Sequence, residues 1–293
     1  MANYYCLMAG APDITMEGEG HAPITLEQFR EQCEDTLVER DKKLLFYFFL
    51  QFDCQNVVKL LKASRTGAAE EDLSALGVEL SKWCNYTMEQ YQDLITSART
   101  MNFNVHRYPS FLSACAREYQ YNKDKEGWFA EDQMMLEYYR YAMECPNSMI
   151  AAWYRFNFNI LNILTALIAR KNGWNVGDYI LGDNEVNDMI RTNNTRDFSL
   201  LGELDYMVEL MKIVDTEDPV EKEKRIDAFK WNWLDEQTFM EPFSIEAVFA
   251  YFCKLQMLNR WEILDPEYGK ETFRQIIEDL RSQAKVPDEF VRK

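Results

Sequence analysis

The chain has 293 residues, about two domains' worth of sequence, and can bury a core without disulfide or metal staples. Its 11 glycines and 8 prolines are about half the usual combined share of ~12%, which disfavours collagen-like, low-complexity and many-stranded architectures. With 18 Phe, 16 Tyr and 7 Trp it is not a disordered chain, and its net charge of −17 repels phosphate backbones and anionic headgroups, so neither nucleic acid nor lipid is an expected direct partner.

The first ten residues carry no Lys or Arg and only a brief apolar stretch, so they do not read as a secretory signal. Residues 3–8 are the one candidate strand. Thr25-Leu26-Glu27-Gln28 then reads as a capping box flanked by Ile24 and Phe29 as a hydrophobic staple. The run 44–50 is the longest strongly apolar one and falls short of the ~20 residues a bilayer span needs. Segments 44–62 and 152–170 are apolar on nearly every face and are expected to be central, buried helices. A second capping box stands at Thr87-Met88-Glu89-Gln90, with Tyr86 and Tyr91 as its staple. Residues 134–143 read as a helix stopped by Pro146. Phe273, Ile276, Ile277 and Leu280 fall at helical spacing and predict an amphipathic helix near the end.

Seven cysteines without a C-x-x-C pair point to buried thiols in a reducing compartment, so a cytoplasmic location is expected. The polar stretch 119–127 and the charged run 215–225 divide the chain into residues 1–118, 119–214 and 215–293.

A weak internal repeat is the most informative pattern. Phe52-Asp53-Cys54-Gln55-Asn56 lies over Phe158-Asn159-Ile160-Leu161-Asn162, and Leu255-Gln256-Met257-Leu258-Asn259 is a poorer third copy. The asparagines are 106 and 97 residues apart. An asparagine inside an apolar helix is costly unless its amide is paired, so three at near-equal intervals imply one local solution used repeatedly. Coincidence among leucine-rich helices is the competing explanation.

The segment Asn162-Ile163-Leu164-Thr165-Ala166-Leu167-Ile168-Ala169-Arg170-Lys171-Asn172-Gly173 resembles the internal motif of the central-stalk C-type component of A/V-type rotary ATPases, the counterpart of the d-type component of eukaryotic V-ATPases. The stretch from Pro242 through Asn259 to Ile277 is similar to that family's C-terminal repeat. The opening Asn3-Tyr4-Tyr5-Cys6-Leu7-Met8-Ala9-Gly10-Ala11-Pro12-Asp13-Ile14 resembles an uncharacterised bacterial family encoded beside V-type ATPase subunits. What the resemblance implies is an all-α chain of three related helical subdomains forming a pseudo-threefold funnel. It implies a non-catalytic socket between the central shaft and the membrane rotor ring, peripheral to the inner membrane through protein contacts. Phe52, Asn56, Phe158, Asn162 and Asn259 are then structural repeat residues.

Catalytic signatures are not evident. The Gly-Lys pair at Gly269-Lys270 is followed by Glu271 and lacks the upstream glycine of a phosphate-binding loop. Two histidines disfavour a zinc site built on histidine pairs. Glu17, Glu19 and His21 are expected to be solvated, and Asp183, Glu185 and Asp188 to form a helix start or loop surface. No cofactor, metal or small-molecule substrate is therefore expected. The alternatives are an all-helical metal-dependent enzyme and a helical adaptor of an unrelated complex.

Overall fold

The computed structural model describes residues 3–16, 22–65, 79–100 and 107–264. Among them every regular element is helical: α1 (Tyr5–Gly10), α2 (Leu26–Thr36), α3 (Glu39–Arg65), α4 (Met88–Thr100), α5 (Ser110–Asn122), α6 (Ala130–Met143), α7 (Ser148–Lys171), α8 (Glu185–Thr192), α9 (Met207–Asp215), α10 (Pro219–Thr238) and α11 (Ile245–Leu264). The described residues are all-α. The amphipathic helix expected around Phe273 and the Gly269-Lys270 pair lie outside the described residues.

The expected strand at 3–8 does not form: Tyr4 caps α1 and residues 5–8 belong to that helix. Tyr4 and Leu7 are both buried, three residues apart, which is the spacing of one helix face and not of a strand. The Tyr4 hydroxyl donates to Asp41 at 2.6 Å, and its backbone N–H donates to Phe243 O at 2.7 Å. These bonds tie the N-terminal end to the starts of α3 and α11.

Both capping boxes form. Gln28 N–H donates to Thr25 Oγ1 at 3.2 Å while Thr25 N–H donates to Gln28 Oε1 at 3.0 Å. At Thr87 and Gln90 the corresponding distances are 3.4 and 2.8 Å, and the Tyr86 and Tyr91 rings meet edge-on at 6.2 Å. Helix α6 ends at Met143, ahead of Pro146, as the sequence predicts.

The two segments expected at the centre are the long helices α3 and α7, and α11 packs against both. Phe48 of α3 meets Phe249 of α11 at 6.2 Å, and Tyr154 of α7 meets the same ring at 6.1 Å. Phe252 lies 5.4 Å from both Phe48 and Phe49, and Phe29 of α2 closes over it at 4.8 Å. Edge-on and tilted ring pairs of this kind add to the area they bury. Within residues 39–63 of α3 an 18-residue window reaches a mean hydropathy of 1.2, enough by length and composition to cross a membrane, yet 72% of that window is buried inside this fold.

The starts of α3, α7 and α11 lie at one end. Tyr4 joins α3 to the turn before α11, and Asn147, which caps α7, donates its amide to Glu246 in the first turn of α11 at 2.6 Å. The divisions at 118/119 and 214/215 fall within α5 and α9, whereas helix is interrupted at 123–129 and 216–218.

Candidate functional site

The repeat residues on α3 and α7 do the same thing. Asn56 is 1% exposed; its Oδ1 accepts from Ser81 N–H at 2.8 Å and its Nδ2 donates to Ser81 O at 3.0 Å. Asn162 is also 1% exposed; its Oδ1 accepts from Leu181 N–H at 2.7 Å and its Nδ2 donates to Leu181 O at 3.1 Å. Each side-chain amide thus pairs with both backbone groups of one residue on a returning loop, as a neighbouring strand would. The amide is satisfied, which removes the cost of placing asparagine in an apolar helix.

The residue one turn earlier completes the arrangement in both copies. Asp53, fully buried, accepts from Asn85 N–H at 3.0 Å, Asn85 Nδ2 at 2.7 Å, Tyr86 N–H at 3.2 Å and the Tyr91 hydroxyl at 2.5 Å. Asn159 accepts from Asn184 Nδ2 at 3.3 Å, and Asn184 caps α8 by accepting from Asn187 N–H at 2.8 Å. Burial pushes the Asp53 carboxyl up, and the hydrogen bonds from Tyr91 and Asn85 oppose that push. Burial, together with the Asp53 charge, pushes the Tyr91 hydroxyl up. The sequence repeat lays Asp53 over Asn159 without assigning either a role; two polar residues at equal places in apolar helices are the signal.

The aromatic residue before each pair packs on the captured loop. The Phe52 ring meets Trp83 at 5.5 Å, and the Phe158 ring lies where a Cβ on Gly182 would come within 3.2 Å. Gly182 has φ +72°, so the loop after Leu181 passes close to α7 in a conformation that glycine alone adopts freely.

The end of α7 is fixed by the other marks of the motif. Gly173 has φ +72°, and Trp174 N–H donates back to Ala169 O at 2.9 Å, closing the helix in a Schellman turn. The Arg170 guanidinium donates to Thr195 O and to Asn193 O and lies over the Phe198 ring at 3.8 Å. Phe198 and Ser199 have φ of 54° and 61°, and the Thr195 hydroxyl, accepting from Ser199 N–H at 2.8 Å, holds that turn.

Asn259 is half-buried near the end of α11, and the positions 19 to 25 residues further on lie outside the described residues. Beside it, Asp227 is 4% exposed and accepts from Arg260 and from Trp261 Nε1, the latter at 2.8 Å. Burial lowers the Lys230 ammonium next to this group, with Asp227 pulling the other way.

Two clefts open beside α3. One, of about 520 Å³, lies between the starts of α3 and α7 and presents Arg40, Lys43, Tyr47, Tyr141 and Asn147. The other, of about 390 Å³, lies between α3 and α6 and is walled by Val58, Met134, Met135, Tyr138 and Tyr139. Among the described residues no three His, Cys, Asp or Glu side chains gather as a metal ion requires. Asp183, Glu185 and Asp188 stand around the start of α8, where Arg191 pairs with Asp183 at 2.8 Å. Glu17, Glu19 and His21 lie outside the described residues. What the site does chemically is hold loops to helices.

This sequence matches the family described as "Protein of unknown function (DUF2764)" over residues 1–284. The chain belongs to the DUF2764 family. No curated protein and no solved structure matches this DUF2764 chain. The paired clamps on α3 and α7 therefore stand as structural features of this DUF2764 protein in their own right.

Proposed function

We propose that this protein is a non-catalytic socket of a V-type rotary ATPase, similar in role to the central-stalk C-type component, joining the central shaft to the membrane rotor ring from the cytoplasmic side. The observation that carries this reading is the clamp repeated on α3 and α7: the same two positions, Asp53/Asn56 and Asn159/Asn162, capture a returning loop in each copy. A third asparagine, Asn259, sits on α11, which packs against both other helices. Internal repetition of a helix-plus-captured-loop unit is what three related subdomains around a pseudo-threefold funnel require. The sequence likeness around Asn162–Gly173 supports the choice of assembly, and the Schellman turn at Gly173 and the staple by Arg170 give those two residues of the motif a structural job.

A socket needs no reaction centre; it needs helices whose register does not slip under load. Bonding a side-chain amide to both backbone groups of a loop residue resists such slippage, because moving the helix by one residue breaks both bonds at once.

The test is binding of the purified protein to the shaft protein, and separately to anionic liposomes, across a salt series. Tight binding to the shaft that weakens with salt is expected, since opposite-charge steering is screened beyond ~10 Å at 0.1 M. Binding to bare liposomes with no affinity for the shaft overturns the reading.

A further inference from the structure

The turn between α10 and α11 displays two large apolar side chains to solvent. Met240 is 83% exposed and Phe239 78%, the highest values among the exposed large hydrophobic residues described. Three residues on, the Phe243 ring lies 4.5 Å from the ring of Tyr5, which is 55% exposed. Phe239, Met240 and Phe243 thus share one short turn, with Tyr5 against its far end, where α3, α7 and α11 begin.

The projection is held stiffly. Glu241 N–H donates to Thr238 O at 3.1 Å, and Ser244 N–H donates to Glu241 O at 3.2 Å. The Ser244 hydroxyl caps α11 by accepting from Ala247 N–H at 3.3 Å, and Tyr4 N–H holds Phe243 O at 2.7 Å. A side chain displayed on a turn already fixed loses little further freedom on binding. Aromatic anchors in such a setting carry a large share of interface energy.

Charge narrows the partner. Glu236 and Glu241 flank the tip as unpaired acids, Asp235 being paired with Lys254 and Glu246 with Asn147, and no Lys or Arg occurs in the sequence between Lys230 and Lys254. Anionic lipid is repelled by this collar, and a second copy of a chain at −17 is repelled as well. An apolar pocket with a basic rim on another protein satisfies both the bare rings and the acids.

We infer that the turn 239–243 is a docking knob that seats in an apolar, Lys- or Arg-rimmed pocket of a neighbouring protein in the assembly. The inference rests on the rotary-ATPase reading for the identity of the assembly, and on the exposure, rigidity and charge of the turn for the contact itself.

The test compares the wild type, Phe239→Ser with Met240→Ser, and a control pair, Tyr121→Ser with Phe129→Ser, which removes apolar side chains exposed elsewhere. Each is titrated against a detergent-solubilised ring–shaft assembly and against zwitterionic and anionic vesicles, with thermal melts alongside. The expected result is a tenfold or greater loss of affinity for the assembly in the first pair only, with all melts unchanged. Reversing the collar with Glu236→Lys and Glu241→Lys is expected to weaken binding and flatten its salt dependence. Wild-type affinity in the Phe239/Met240 variant overturns the knob and leaves the rotary-ATPase reading standing. No binding of the wild type to the assembly overturns both. Binding to vesicles that depends on Phe239 and Met240, without binding to the assembly, assigns the turn to lipid and overturns the protein-docking inference.

Discussion

Asn162 and Leu181 exchange two hydrogen bonds, side chain to backbone, at 2.7 and 3.1 Å, and Asn56 and Ser81 repeat the exchange at 2.8 and 3.0 Å. In a protein whose described elements are all helices, these amides do for two loops what a strand neighbour does in a sheet.

Replacing Asn162 with Leu leaves the N–H of Leu181 without its acceptor while adding apolar volume to α7; Leu181 O keeps its bond from Asn187 Nδ2 at 2.7 Å. A loss on the order of 1–3 kcal/mol of stability is expected, the cost of stranding that backbone donor. Urea unfolding of the variant reads it. An unchanged midpoint would remove Asn162 from the set of groups that hold the fold.

Gly182→Ala asks the loop to keep φ +72° with a side chain whose Cβ would lie 2.6 Å from Leu136 Cδ1 and 3.2 Å from Phe158 Cζ. Left-handed strain alone costs about 1–2 kcal/mol, and the Phe158 ring must shift as well. Gly202 has open space around it and serves as the control. Thermal melts should fall for Gly182→Ala and hold steady for Gly202→Ala.

Asp53 gives the chain a signature in pH. Burial raises its carboxyl above the unfolded value of about 3.9, so the folded state binds this proton more tightly than the unfolded chain. The stability it contributes is complete below that unfolded value and is lost as pH rises through the folded one. Relative to Asp53→Asn, the wild type should therefore lose stability as pH is raised from about 4. Parallel pH profiles for the two proteins would contradict this assignment.

Thiol chemistry separates surface from core. Cys6 is exposed, whereas Cys33, Cys54, Cys115, Cys145 and Cys253 are buried. Burial pushes the Cys33 and Cys115 thiols up to about 12 and raises Cys54 and Cys253 well above the usual range. A disulfide reagent added to native protein should modify Cys6 promptly and half-buried Cys84 slowly, with the buried five reacting on unfolding. Prompt modification of Cys54 in the native protein would show that α3 opens.

What was legible in the sequence was local. The capping boxes at Thr25 and Thr87 each involve residues three apart, and the burial of α3 and α7 follows from apolar residues on all faces. Residues 3–8 misled because so short a stretch carries less than two turns of periodicity; Tyr4 and Leu7 fit a helix face only once their burial is seen. The clamps were half legible. Asn56 and Asn162 stood out as polar residues in apolar helices, but their partners, Ser81 and Leu181, contribute only backbone groups, and any residue other than proline carries both. Asn85 and Asn184 gave no signal for a different reason: a polar residue in a polar loop looks solvated, although their side chains hold the loops against Asp53 and Asn159.

The two captured residues lie 25 and 19 positions beyond their asparagines, yet each pair forms the same two bonds. Lengthening a closed loop from 19 to 25 residues costs only about 0.2 kcal/mol of chain entropy. The clamp thus separates what must stay constant, the point where the chain comes back to its helix, from what can vary, the length of the excursion. Such a unit can acquire or shed peptide between helix and return point while its core remains as it was, so lineages of this protein are free to differ in loop size without rebuilding the helical frame.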